Sequence, residues 1–356
     1  MSRKGRSRHR AGGRFRIAFV LLVLVIAAGA WLWQRYEAFA EKPLSGVRPG
    51  QTLVVEPGDS LGTVIGKLHD AGVDGGSRYE WQALARQLGA AGRIQVGEYL
   101  LAPGMTPRGL LQRMREGKVI SHRFTIVEGW NIRDLRAALA RSEQLQHETT
   151  SMSDAELMAA VGHAGQHPEG RFLPETYAFV RGDSDLDVLR RAHKAMEKAL
   201  DAAWQARAKD NVLKSKHEAL VLASIVEKET GIAEERPQIA GVFARRLKLG
   251  MRLQTDPTVI YGMGAGYAGN IRKADLLTDT PYNTYTRAGL PPTPIAMPGK
   301  DALQAATNPA PGNALYFVAA GDGSGRHVFT ASLAEHENAV RAYVQRYRQR
   351  RRARAQ

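Results

Sequence analysis

Residues 217–231 read HEALVLASIVEKETG, and the rest of the chain is best read outward from this stretch. Leu220, Ala223, Ser224 and Glu227 recur at i, i+3, i+4 and i+7, which places them on one face of a helix. Val221, Leu222, Ile225 and Val226 make the other faces apolar too, so the helix is expected at the centre of a domain. Glu227 closes that run and sets a carboxyl group on the inward stripe. Glu229, two positions on and about 200° round the helix, is expected to point elsewhere.

Thr230-Gly231 reads as the helix stop. Glu227 then lies in the last turn, where burial and the negative end of the helix dipole both disfavour its charge. A carboxyl group held protonated near neutral pH is what general acid catalysis requires. The same pattern fits a buried structural glutamate paired to Arg236 or Arg245, and the helix alone does not choose between them.

Downstream, Ile239, Val242, Phe243 and Leu247 mark a second amphipathic helix that ends at Gly250, followed by RLQTDPTVIYG at 252–262. Residues 278–299 are proline-rich and without apolar periodicity, and contain YNTY (282–285) and GLPPTPI (289–295). Long irregular segments inside a domain are more often functional than ornamental. Upstream, 168–177 carries two prolines and a glycine together with Glu175 and Tyr177, and reads as an ordered loop or strand entry rather than helix. A helix over 333–347 is expected to trail into a frayed basic tail.

ASIVEKET (223–230), RLQTDPTVIYG, YNTY and GLPPTPI, in this order, resemble the endolytic murein transglycosylases of the MltG, or YceG-like, family. The resemblance runs from the apolar N-terminal segment to about residue 343. It implies an α+β protein with a single N-terminal transmembrane helix, a small LysM-like βα subdomain and a larger mixed α/β catalytic domain. It places the catalytic acid at Glu227 and requires no cofactor. Most glycosidases use two carboxylates, about 5–5.5 or 6.5–9.5 Å apart; a lytic transglycosylase needs one, because the sugar's own 6-hydroxyl is the nucleophile. The implied reaction cuts the N-acetylmuramic acid–N-acetylglucosamine bond of peptidoglycan glycan strands and leaves a 1,6-anhydro end. The implied setting is beside peptidoglycan synthases, where the enzyme terminates strand growth.

Polar and aromatic groups that could hold the sugars are Gln254, Thr255, Asp256, Asn283 and Tyr285, with Glu175 and Tyr177 as further candidates. Asp256 precedes a proline and equally suits an Asx-turn. The ten histidines are scattered, with no H-x3-H or carboxylate cluster on one predicted element, so no metal site is expected. Two other functions remain open: a hydrolase in which Glu229 or Asp256 serves as base, and a membrane-tethered wall-binding scaffold without activity.

Residues 17–34, IAFVLLVLVIAAGAWLWQ, carry no charge over eighteen positions, about 27 Å of helix and enough to cross a bilayer core. Seven basic residues precede it, and Trp31, Trp33 and Tyr36 sit at its far interface, which predicts a cytoplasmic N-terminus and an exported body at the cell inner membrane. A cleaved signal peptide is the competitor, with Ala28-Gly29-Ala30 or Ala38-Phe39-Ala40 as the small-residue site.

The net charge of +15 invites a nucleic-acid reading. Seven of those charges lie before residue 17 and seven between Arg341 and Arg354, so the body carries 15 − 14 = +1. It lacks the continuous basic face that follows a phosphate backbone, and no nucleic-acid partner is expected. The absence of cysteine excludes disulfides and thiolate metal sites. The expected organisation is a basic tail (1–16), transmembrane helix (17–34), linker (35–48), LysM-like subdomain (49–120), catalytic domain (121–345) and basic C-terminal tail (346–356). Within 49–120 and just beyond, three segments repeat one design: a short strand, a Gly turn at 58, 104 or 129, then Ser60, Thr106 or Asn131 as N-cap of a helix.

Overall fold

The computed structural model describes residues 9–354, which divide into two compact units. The first runs to His122 and takes in 180–182; the second holds the remainder. The first unit contains α1 (His9–Glu41), β1 (Thr52–Val55), α2 (Leu61–Asp70), α3 (Arg78–Gln87), β2 (Gly97–Leu100) and α4 (Pro107–Glu116). β3 (Ser121–Thr125) leads into the second, followed by α5 (Ile132–Ala140), α6 (Asp154–Val161), β4 (Thr176–Val180) and α7 (Asp185–Gln205). Then come α8 (Lys216–Glu229), α9 (Arg236–Lys248), α10 (Asp256–Met263), α11 (Lys273–Leu277), α12 (Lys300–Thr307), β5 (Tyr316–Ala319), β6 (His327–Thr330) and α13 (Leu333–Arg354). Helix and strand content is mixed, with the strands joined in pairs: β1 with β2, β3 with β4, β5 with β6.

The strand–turn–helix repeats share one local chemistry. Gly58, Gly104 and Gly129 take φ of +91°, +83° and +77°, which only glycine adopts freely. Ser60, Thr106 and Asn131 then cap α2, α4 and α5, each side chain accepting from the backbone N–H three residues on. Each cap contributes roughly 1 kcal/mol. In the first unit β1 and β2 run antiparallel, with Thr52 opposite Leu100 and Val55 opposite Gly97. Leu53, Val55, Tyr99 and Leu101 bury against Leu68, Trp81, Leu110 and Met114.

Two expectations at the ends of the chain are corrected. The helix expected over 17–34 extends from His9 to Glu41, so 35–48 is not a free linker. Phe39, Ala40 and Leu44 enter the core of the first unit, and Arg108 on α4 bonds Glu37 and Glu41. Apolar packing thus continues beyond the uncharged stretch, which charge counting could not reveal. Upstream, the large apolar side chains from Phe15 to Trp33 are exposed, and Phe15–Glu41 is long and apolar enough to cross a membrane. Residues 1–8 of the basic tail lie outside the described residues. At the other end α13 continues to Arg354, because arginine is a good helix former and nothing in 346–354 breaks the pattern.

The second unit is organised round α8. Every residue from Ala219 to Val226 is buried, enclosed by α7, α9, α10 and α12. Charged side chains are confined to its two ends, and its C-terminal end delivers two glutamates to different surroundings.

Candidate active site

The chain leaves α9 through Gly250 (φ +67°) and returns across the end of α8 as residues 251–255. Gln254 has φ +51°, the one non-glycine in the left-handed region among the described residues. A side chain held there costs on the order of 1 kcal/mol or more and persists only when its surroundings impose it. Those surroundings are the YNTY segment and α9. The Gln254 N–H donates to the Thr284 carbonyl at 3.2 Å, and the Thr255 N–H to Thr284 Oγ1 at 3.0 Å. Buried Arg246 donates to the Leu253 and Leu315 carbonyls at 2.9 and 2.7 Å, tying the turn to β5.

These contacts frame a cleft of about 500 Å³, lined by Glu229, Gln254, Thr255, Asp256, Tyr285 and Tyr316 among others. Glu229 is the last residue of α8 and hydrogen-bonds the Thr255 hydroxyl. Burial pushes its carboxyl group up to about 7; the Asp256 charge adds to this, while the Thr255 bond opposes it. The Tyr285 hydroxyl donates to Asp256 Oδ1 at 2.6 Å, fixing that carboxylate at the rim. Also lining the cleft, Arg246 lies over the Tyr316 ring at 5.0 Å, and His336 of α13 stacks on the same tyrosine with 5.1 Å between ring centres.

Glu227 occupies a different place. Its side chain is 4% exposed and accepts from Arg236 at 3.2 Å and from the Gly299 N–H at 2.9 Å. Gly299 is the N-cap of α12, so Glu227 joins the end of α8 to the start of α12 at the positive end of the latter's dipole. Glu128 and Asp301 also reach Arg236, each at 3.5 Å. A Cβ at position 299 would stand 2.0 Å from Glu128 Oε1, so a larger residue there would displace the Glu128 side chain. Burial raises the Glu227 pKa, with Gly299 and Arg236 acting against it. Among the sequence candidates, then, Gln254, Thr255, Asp256 and Tyr285 meet in one cleft, while the acid that meets them is Glu229. The expectation that Glu229 points away from the site is overturned. α8 is buried on every side, so no single inward stripe exists.

Three further candidates lie elsewhere. Asn283 is buried, and its amide donates to the Asp275, Leu276 and Thr278 carbonyls while its Oδ1 accepts from the Tyr285 N–H. It shapes the segment that carries Tyr285 and has no donor left for a sugar. Tyr177 is a core residue whose hydroxyl donates to the Leu173 carbonyl at 2.7 Å. Glu175 pairs with Lys300 beside a separate apolar groove along α7. Arg246, Tyr316 and His336 were not singled out from the sequence; they reach the cleft from three elements, α9, β5 and α13, with no local motif to mark them.

The YceG-like family matches residues 53–342. The chain belongs to that family. A Bacillus subtilis relative named endolytic murein transglycosylase is 32% identical over 285 residues, 75% of this chain and 78% of the relative. A Streptococcus pneumoniae protein of the same name is 26% identical over 343 residues, 86% of this chain but only 61% of its own length. A crystal structure of a yceG-like protein from Listeria monocytogenes superposes with a TM-score of 0.52 at 29% identity, covering 81% of this chain and 98% of that one.

Proposed function

We propose that this protein is a membrane-anchored endolytic murein transglycosylase in which Glu229, not Glu227, is the catalytic acid. The observation that carries the reading is the convergence of Glu229 with Gln254, Thr255, Asp256 and Tyr285 on one cleft. The relatives' shared name supplies the reaction class.

In this reaction Glu229 donates its proton to the glycosidic oxygen between N-acetylmuramic acid and N-acetylglucosamine, and the C1–O bond breaks. The carboxylate left behind takes the proton of the muramic C6 hydroxyl as that oxygen bonds to C1. The acid is thereby restored, and the product is a 1,6-anhydro end formed without water. A pKa of about 7 suits both halves of this cycle. Asp256, held by Tyr285, supplies negative charge near the oxocarbenium-like centre and helps keep Glu229 protonated.

A hydrolase reading has one observation in its favour, the second carboxylate Asp256 on the same cleft. Mass spectrometry of digested glycan strands separates the two: anhydromuramic ends are expected, and reducing muramic ends in their place would establish hydrolysis.

The reading includes an uncleaved anchor with a cytoplasmic N-terminus. Cleavage after Ala40 would remove Phe39 and Ala40 from the first unit's core together with the Glu37 contact to Arg108. In the same reading the β1–α2–α3–β2 unit is the LysM-like wall-binding element, and the enzyme ends new strands beside peptidoglycan synthases.

A further inference from the structure

Away from the cleft, the end of α6 meets the middle of α7 in a cluster the proposed reaction does not use. α6 stops at Gly162 (φ +100°), and the next residue, His163, is fixed by its N–H bond to the Met158 carbonyl at 2.7 Å. His193 and Glu197 stand one turn apart on α7. The two imidazoles face each other with 3.9 Å between ring centres and 32° between planes. The Glu197 carboxylate lies opposite both: Oε1 is 3.6 Å from His163 Nδ1, and Oε2 is 3.6 Å from His193 Nδ1. One ligand atom from each residue falls within 4.8 Å of the others.

We propose that His163, His193 and Glu197 form a site for a zinc-class divalent cation that bridges the end of α6 to α7. At 3.6 Å the nitrogens and carboxylate oxygens are too far apart for good hydrogen bonds. A tetrahedral ion with bonds of about 2.0–2.1 Å spaces its ligand atoms about 3.3–3.4 Å apart, close to the separation found. Two imidazole nitrogens and one carboxylate select a borderline metal such as Zn²⁺, Co²⁺ or Ni²⁺ over Ca²⁺ or Mg²⁺. The fourth position falls to solvent, since His163 and Glu197 are both partly exposed. His193 is buried, and its Nε2 has no hydrogen-bond partner, so the ring's polar outlet is the Nδ1 side. Arg171 is the nearby cation that competes for Glu197; its Nη2 lies 3.5 Å from His217 Nδ1.

The test uses the full chain in detergent, stripped of metal with a chelator. Co²⁺ titration followed by visible absorption should show one saturable equivalent that Zn²⁺ displaces, and Zn²⁺ should raise the Tm. His163→Ala and Glu197→Gln should each weaken Co²⁺ binding by at least about 10-fold and abolish the Zn²⁺-dependent rise in Tm. Both side chains are partly exposed, so these variants fold even if a His193 variant does not. Absence of a saturable equivalent in the parent chain, or unchanged binding in both variants, overturns the proposal.

Discussion

The last turn of α8 ends in two carboxylates with different surroundings. On the α12 side, Glu227 is held by a guanidinium and a backbone N–H, and its partner Arg236 is shared with Glu128 and Asp301. On the cleft side, Glu229 has one hydroxyl partner, a second carboxylate nearby and open space in front of it. At a carboxyl group whose pKa is raised by burial, a guanidinium and a backbone N–H oppose that rise, as Arg236 and Gly299 do at Glu227 although Glu128 adds to it. A carboxyl group facing another acid in a desolvated cleft retains its proton. The comparison teaches that burial alone does not make a general acid; the sign of the neighbouring charge and access to substrate separate the two roles.

The largest expected effect is on turnover. Glu229→Gln should lower the rate of glycan cleavage by about 10²–10⁴-fold with little change in Tm, measured by release of soluble muropeptides. The next tests the other side of the comparison. Glu227→Ala leaves Arg236 short of its most buried partner and the Gly299 N–H unpaired, and should destabilise the second unit by about 3 kcal/mol, read by denaturant unfolding.

A third prediction concerns pH. Glu229 binds its proton more tightly when folded (about 7) than when unfolded (about 4.5). Its contribution to stability is therefore complete below about pH 4.5 and is lost as pH rises through about 7, by no more than about 3 kcal/mol. Unfolding at a series of pH values should show this slope in the parent chain and not in Glu229→Gln. Cleavage that needs the protonated acid should decline over the same upper range. The smallest effect is expected for Tyr285→Phe. It removes the charge-assisted bond to Asp256, worth about 1.5–3 kcal/mol where fully formed and less at an exposed rim, and should slow cleavage several-fold while leaving the Tm within a few degrees.

Much of the scaffold was legible because its signals are local. The Gly turns at 58, 104 and 129 and their Ser, Thr and Asn caps need no information from distant residues, and the apolarity of 219–226, broken by Ser224 alone, announces a central helix. The choice between Glu227 and Glu229 was not local. Helical phase assigns an inward face only when one face is buried, and α8 is buried all round. What distinguishes the two acids is the return of 251–256 across one side and of Gly299 across the other. Asn283 misled for a related reason: an amide in a proline-rich segment serves a ligand or its own loop equally well, and here three loop carbonyls claim it. His163 stands 30 residues before His193, so no spacing rule joins them before the fold does.

The most direct test of the account is a side-by-side assay of Glu227→Gln and Glu229→Gln on purified glycan strands, counting anhydromuramic ends per folded molecule. Glu227→Gln, which keeps an acceptor for the Gly299 N–H, is expected to release these ends at close to the parent rate, and Glu229→Gln almost none. Loss of activity in Glu227→Gln with activity retained in Glu229→Gln would contradict it.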